Sequence, residues 1–187
     1  MNLLIVTVAI ALGGVPEAAS RAPRAGGTGV PSGTVREQVD TFLSTIDTPV
    51  SAQQWQALGP DAAAVLMEIA STRTFLPTRR ARAVEALGMR KDAAAASLVN
   101  GLVTAAGEPR AVRMAAVRAL PQVARDKAQA TLAPLLQDRD LHLRAATAGA
   151  LSTLGAEGCR LVAQRLQRET GEERALMERN SAACRKP

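Results

Sequence analysis

The sequence predicts an all-α fold, a solenoid of about three to four stacked antiparallel helix pairs, and three observations carry that expectation. The first is a repeated segment. RARAVEAL at 80–87, RMAAVRAL at 113–120 and RAATAGAL at 144–151 each place an Arg seven residues before a Leu, with Ala just ahead of the Leu. The second is the period. Arg80, Arg113 and Arg144 stand 33 and 31 residues apart, the length of a helical hairpin that buries its apolar face only against a neighbouring copy. The third is composition. Hydrophobic residues make up 47% of the 187 positions while aromatics make up 2%. The apolar share is mostly Ala and Leu, which favour helix over a pleated sheet.

The chain opens on MNLLIVTVAIALGGV, an apolar run short of the roughly 20 residues that a membrane-spanning helix needs. Pro16 and the small residues Ala18-Ala19-Ser20 follow, so residues 1–20 read as a secretory signal peptide. An uncleaved anchor in the inner membrane is the alternative. Residues 21–33, RAPRAGGTGVPSG, combine Gly and Pro and read as a flexible linker. The folded domain is expected over 34–187.

Thr34-Val-Arg-Glu37 has capping-box spacing, in which the hydroxyl and the carboxylate satisfy each other's free backbone amides. Val35, Val39, Phe42, Leu43 and Ile46 then form one apolar stripe, and Asp47-Thr48-Pro49 ends that helix. A second capping box at Ser51-Ala-Gln-Gln54 opens a short helix through Trp55 and Leu58, stopped by Gly59-Pro60. A third runs from Asp61 to about Ser71 and buries Val65, Leu66 and Ile69; this pair reads as a worn repeat. The clear repeats start at Pro77, Glu108-Pro109 and Asp140, signals suited to a helix N-terminus. Their inward faces are predicted as Ala83, Ala86 and Leu87, then Ala116, Ala119 and Leu120, then Thr147, Ala150 and Leu151. Second helices are expected near 92–105, 125–137 and 157–169, with Pro134 kinking or shortening the middle one. A polar helix from about Glu172 to Ala183 serves as the terminal cap.

These features resemble HEAT repeats, in particular the short HEAT-like repeats of phycobilisome lyases, over roughly residues 50–170. The resemblance implies a superhelix whose second helices line a concave surface used mainly to bind other proteins. It also implies that the recurring Arg80, Arg113 and Arg144 are structural, packing on the neighbouring repeat and bonding carboxylates or helix ends there. Asp140, four residues before Arg144, is a candidate helical ion pair.

The expected function is therefore a non-enzymatic protein–protein scaffold of the bacterial cell envelope, periplasmic or secreted, with another protein as partner and no cofactor. Candidate contacts are the solvent-side residues Asn100, Thr104, Gln129 and Gln164 of the second helices. Two alternatives belong to other classes: nucleic-acid or polyanion binding through the Arg-rich helices, and an accessory lyase-like role. The formal charge of +6 suits the first alternative, but the repeats lack the aromatics on which bases stack. Metal and triad chemistry have little material, because His142 is the only histidine and no His-Glu pair occurs. Cys159 and Cys184 are the only cysteines. In an oxidising compartment they predict a disulfide that staples the last helix onto the array, contributing about 3–4 kcal/mol by loop closure.

Overall fold

The computed structural model describes residues 33–45 and 48–185. The expected signal peptide 1–20, nearly all of the expected linker 21–33, and Ile46 and Asp47 lie outside the described residues. Those that are described form an α-solenoid of ten α-helices without strands. They are α1 (Val35–Ser44), α2 (Ala52–Ala57), α3 (Asp61–Ser71), α4 (Pro77–Arg90), α5 (Ala96–Thr104), α6 (Arg110–Val123), α7 (Arg125–Leu132), α8 (Leu141–Ser152), α9 (Ala156–Leu166) and α10 (Gly171–Asn180).

Local chemistry sets most of the boundaries. Both capping boxes form: Thr34 Oγ1 accepts from the Glu37 amide while Glu37 accepts from Thr34, and Ser51 pairs with Gln54 in the same way. The bond from the Thr34 amide holds the exposed Glu37 carboxyl below the usual carboxylate range. Pro77 opens α4 at its first turn, and Asp140 caps α8 by accepting from the amides of His142 and Leu143 at 2.8 and 3.3 Å. Pro134 acts as predicted. α7 gives way at Leu132 to a 3-10 turn over Ala133–Gln137, because a proline ring excludes the α-helical bond. Pro121 lies near the end of α6, and a single non-helical residue, Ala124, separates α6 from α7. The first helix ends at Ser44, ahead of the predicted Asp47-Thr48-Pro49 stop.

Packing builds two layers. α4, α6, α8 and α10 lie side by side in the first, while in the second α5 meets α7 and α9 meets the 3-10 turn that follows α7. Leu87, Leu120 and Leu151 occupy equivalent buried places, as do the small residues beside them, Ala86, Ala119 and Ala150. Small side chains let the first helices approach closely. A Cβ on Gly88 of α4 would fall 2.9 Å from the Ala119 Cβ of α6, so this seam has no room for one. The worn pair packs as expected, α2 and α3 both against α4. In α3, Leu66 and Ile69 are fully buried while Val65 is only half-buried. At that end Trp55 meets Phe42 edge to face at 5.2 Å.

The last helix is more than a polar cap. α10 sits against α8 as α8 sits against α6, the place of a first helix in a further pair. A short 3-10 turn over Ala182–Arg185 stands where a second helix would follow. It is fastened by a disulfide between Cys184 and Cys159 of α9.

Candidate interaction surfaces

The recurring arginines sit in the seams. Arg80 is buried, donates from Nε to the carbonyl of Ala70 at the end of α3 (2.8 Å), and lies 2.8 Å from the carboxylate of Glu108. Arg113 repeats that arrangement loosely, with Val103 O and Asp138 each at 3.4 Å. Arg144 donates to Glu169 at 2.8 Å and to the carbonyls of Asp138 and Arg139 at 3.0 and 3.3 Å. Each guanidinium therefore joins the end of one pair to the acid that precedes the first helix of the next. Arg165 adds a second cation on Glu169 at 2.6 Å. Burial pushes the Glu169 carboxyl up, but the hydrogen bonds from Arg144 and Arg165 outweigh it and hold the group below its usual range.

One expected pair does not form. Asp140 caps its own helix and binds Arg110 at 2.8 Å. Arg144 turns away to Glu169 because the buried seam offers it a carboxylate and two carbonyls at once.

The other charges are largely spent in the same manner. Arg82 donates to the carbonyls of Leu43 and Thr45 at 2.6 and 2.9 Å, closing the end of α1. Arg90 holds Gly59 O at 2.8 Å and Asp92 at 2.7 Å. Arg79 pairs with Asp40 and lies over the Phe75 ring at 5.3 Å.

The two faces of the array differ in relief. On the second-helix face, Thr104 and Gln164 are exposed and Gln129 is half-buried. Asn100 is partly committed, its amide oxygen accepting from Thr131 of α7 at 2.7 Å. A recess there of about 120 Å³ includes Gln164 with Leu161 and Arg168. On the first-helix face, three recesses adjoin. The first, about 240 Å³, lies between α1 and α4 and ends at Glu85 and Met89. Those two residues also border the second, about 450 Å³, which spans to Arg118 and Gln122 of α6. Arg118 and Gln122 in turn border the third, about 470 Å³, floored by Ala145, Gly149 and Ala150 of α8 and walled by Leu176 and Asn180 of α10.

Sequence reasoning did not single out Met89, Gln122, Leu176 or Asn180; it placed Arg118 only among the basic residues of the polyanion alternative and read His142 as a surface residue. The available signal was their position one face outward from the repeated inward Ala and Leu on the first helices. Among the described residues no three His, Cys, Asp or Glu side chains gather to hold a metal ion. No described helix is long and apolar enough to cross a membrane.

Residues 98–180 match the family described as HEAT repeats, repeats that generally mediate protein–protein interaction and typically serve as non-enzymatic scaffolds. No curated protein matches the chain.

Proposed function

We propose a non-enzymatic interaction module of the cell envelope that holds a partner protein on a preformed helical surface, a reading supported by the match of residues 98–180 to HEAT repeats. The observation that carries this reading is the run of three adjoining recesses across α1, α4, α6, α8 and α10. A surface already shaped by packed helices binds a partner with little ordering cost of its own. The second-helix face, with Gln129 and Gln164, is the lesser contact region, since its recess is small.

Export is supported by the apolar opening segment and by the Cys159–Cys184 bond, which suits an oxidising compartment. The polyanion alternative is weakened by the arginines themselves, most of which are engaged with carboxylates or carbonyls of the array.

Photo-cross-linking amino acids placed singly at Met89, Gln122, Gln129 and Gln164 test the proposal in the native envelope. The expected result is a protein adduct at Met89 and Gln122, weaker or missing at the other two. Absence of a protein adduct at all four positions overturns it.

A further inference from the structure

α10 is poorly anchored for a helix in a first-helix position. Counting seven residues on from Arg174, as from Arg80, Arg113 and Arg144, reaches Ser181 where the other copies have a Leu. Ser181 is buried and spends its hydroxyl on the Met177 carbonyl at 2.8 Å. Met177 is the single buried side chain of α10 itself, with Leu176 half-buried beside it, whereas α8 buries Leu143, Leu151 and a run of small residues. Arg174 donates to the Leu166 carbonyl at the end of α9 at 3.2 Å, as Arg80 does to Ala70, but it stays exposed. The ion pair of Glu173 with Arg144 is long, at 3.4 Å, and its carboxylate is open to solvent, so it adds little. A helix of ten residues is marginal in water without more packing than this. The Cys159–Cys184 bond supplies what the core lacks. Closing a loop over a separation of 25 residues favours the docked arrangement by about a hundredfold. α9 does not share this dependence. Its Val162 is buried, Glu169 just beyond it binds Arg144 and Arg165, and Gly158 lies too close to the Leu151 carbonyl to leave room for a Cβ.

Resting on the interaction-module reading for its consequence, we infer that the Cys159–Cys184 bond is a redox latch on the third recess. Both cysteines are half-buried, and Ala182, Ala183 and Arg185 around Cys184 are exposed, so a dithiol protein of the thiol–disulfide exchange class reaches the Cys184 sulfur. Its thiolate attacks that sulfur to form a mixed disulfide; the Cys159–Cys184 bond breaks, and Cys159 leaves as a thiolate that takes up a proton. The second thiol of the reductant then displaces Cys184. The reductant ends as a disulfide and the chain carries two thiols, a transfer of two electrons. α10 and the turn after it come away as one unit while α1–α9 stay stacked. The third recess loses Leu176 and Asn180, its α10 wall, and partner binding there is lost with it.

The test is limited trypsin digestion of the full chain, disulfide-bonded and after treatment with dithiothreitol. Cleavage after Arg174 and Arg179 of α10 is expected to be about tenfold or more faster in the reduced chain. Cleavage after Arg82 of α4 and Arg118 of α6 should keep its rate. The double variant Cys159→Ser with Cys184→Ser should be cut in α10 at the fast rate with or without dithiothreitol. Unchanged Trp55 fluorescence in that variant shows that the far end of the array remains folded. Thr153 is an exposed residue of the third recess outside α10. In the native envelope, a photo-cross-linking amino acid there should give a protein adduct in the disulfide-bonded chain and none in the double variant, whereas Met89 gives one in both. Equal cleavage of α10 in the two redox states overturns the inference. So does equal acceleration at Arg82 and Arg118, or an adduct at Thr153 that survives in the double variant. Absence of every adduct removes the module reading separately, and the cleavage rates still decide whether the bond latches α10.

Discussion

The Arg80 seam and the Arg113 seam carry the same repeated segment, yet they are not equally tight. Arg80 and Glu108 are both buried and 2.8 Å apart, whereas the side chains of Arg113 and Asp138 keep about a fifth of their exposure at 3.4 Å. The acid explains much of the difference. Glu108 has one more methylene than Asp138 and reaches into the layer, while Asp138 also accepts from the Asp140 amide at 2.9 Å and is held back toward its own loop. Equivalent places in a repeat are thus unequal in energy. The strength of each seam depends on the acid that the following loop presents.

Removing the cations sharpens this contrast most. Arg80→Ala leaves the Glu108 carboxylate buried with only the exposed Arg73, 3.3 Å away, and should cost about 3–5 kcal/mol. Arg113→Ala, at a half-open seam, should cost about 1 kcal/mol. Chemical denaturation of the two variants checks the pair, and similar losses would mean that the seams are energetically alike despite their geometry.

A step smaller is the effect of the cross-link at the far end. Reducing the Cys159–Cys184 bond should lower stability by about 3 kcal/mol, on loop-closure grounds for a separation of 25 residues. Hydrogen exchange should then rise first in α10 and the 3-10 turn after it, ahead of the α4–α6 seam. Uniform loosening would show that the array opens as one unit.

Acid titration separates the seams more gently. The Glu169 carboxyl is held below its ordinary value in the folded chain. Its stabilising contribution is therefore complete above the unfolded carboxylate range, about 4.3, and is lost as pH falls through the lower folded value. Melting temperature should fall on acidification below about pH 4, and Glu169→Gln should flatten the part of that fall which Glu169 supplies.

The helices and their inward faces were legible along the chain. Thr34 and Glu37, Ser51 and Gln54, and the interruption at Pro134 all report local bonding, which neighbouring residues settle among themselves. The buried Leu87, Leu120 and Leu151 follow from periodicity alone. What stayed hidden was the pairing of distant side chains. Asp140 and Arg144 have the right spacing for an ion pair, yet each found better partners 25 to 30 positions away, Glu169 for Arg144 and Arg110 for Asp140. Arg165 and Glu169 carry a visible four-residue spacing, but not the third member that makes their site buried. The surface relief was hidden too, because a recess belongs to three helices at once, and Gln122 or Leu176 read singly is an ordinary outward residue.

The amino-acid order by itself determined that this chain forms paired helices of a fixed period with an Ala and Leu interior, since helix propensity, capping and amphipathic spacing act within a few residues. The tertiary structure alone decided that α10 takes a first-helix position, that Arg144 is shared with Glu169, and that the first-helix face carries the adjoining recesses. Those outcomes depend on which surfaces meet when successive pairs stack, and stacking brings together side chains that no local pattern relates.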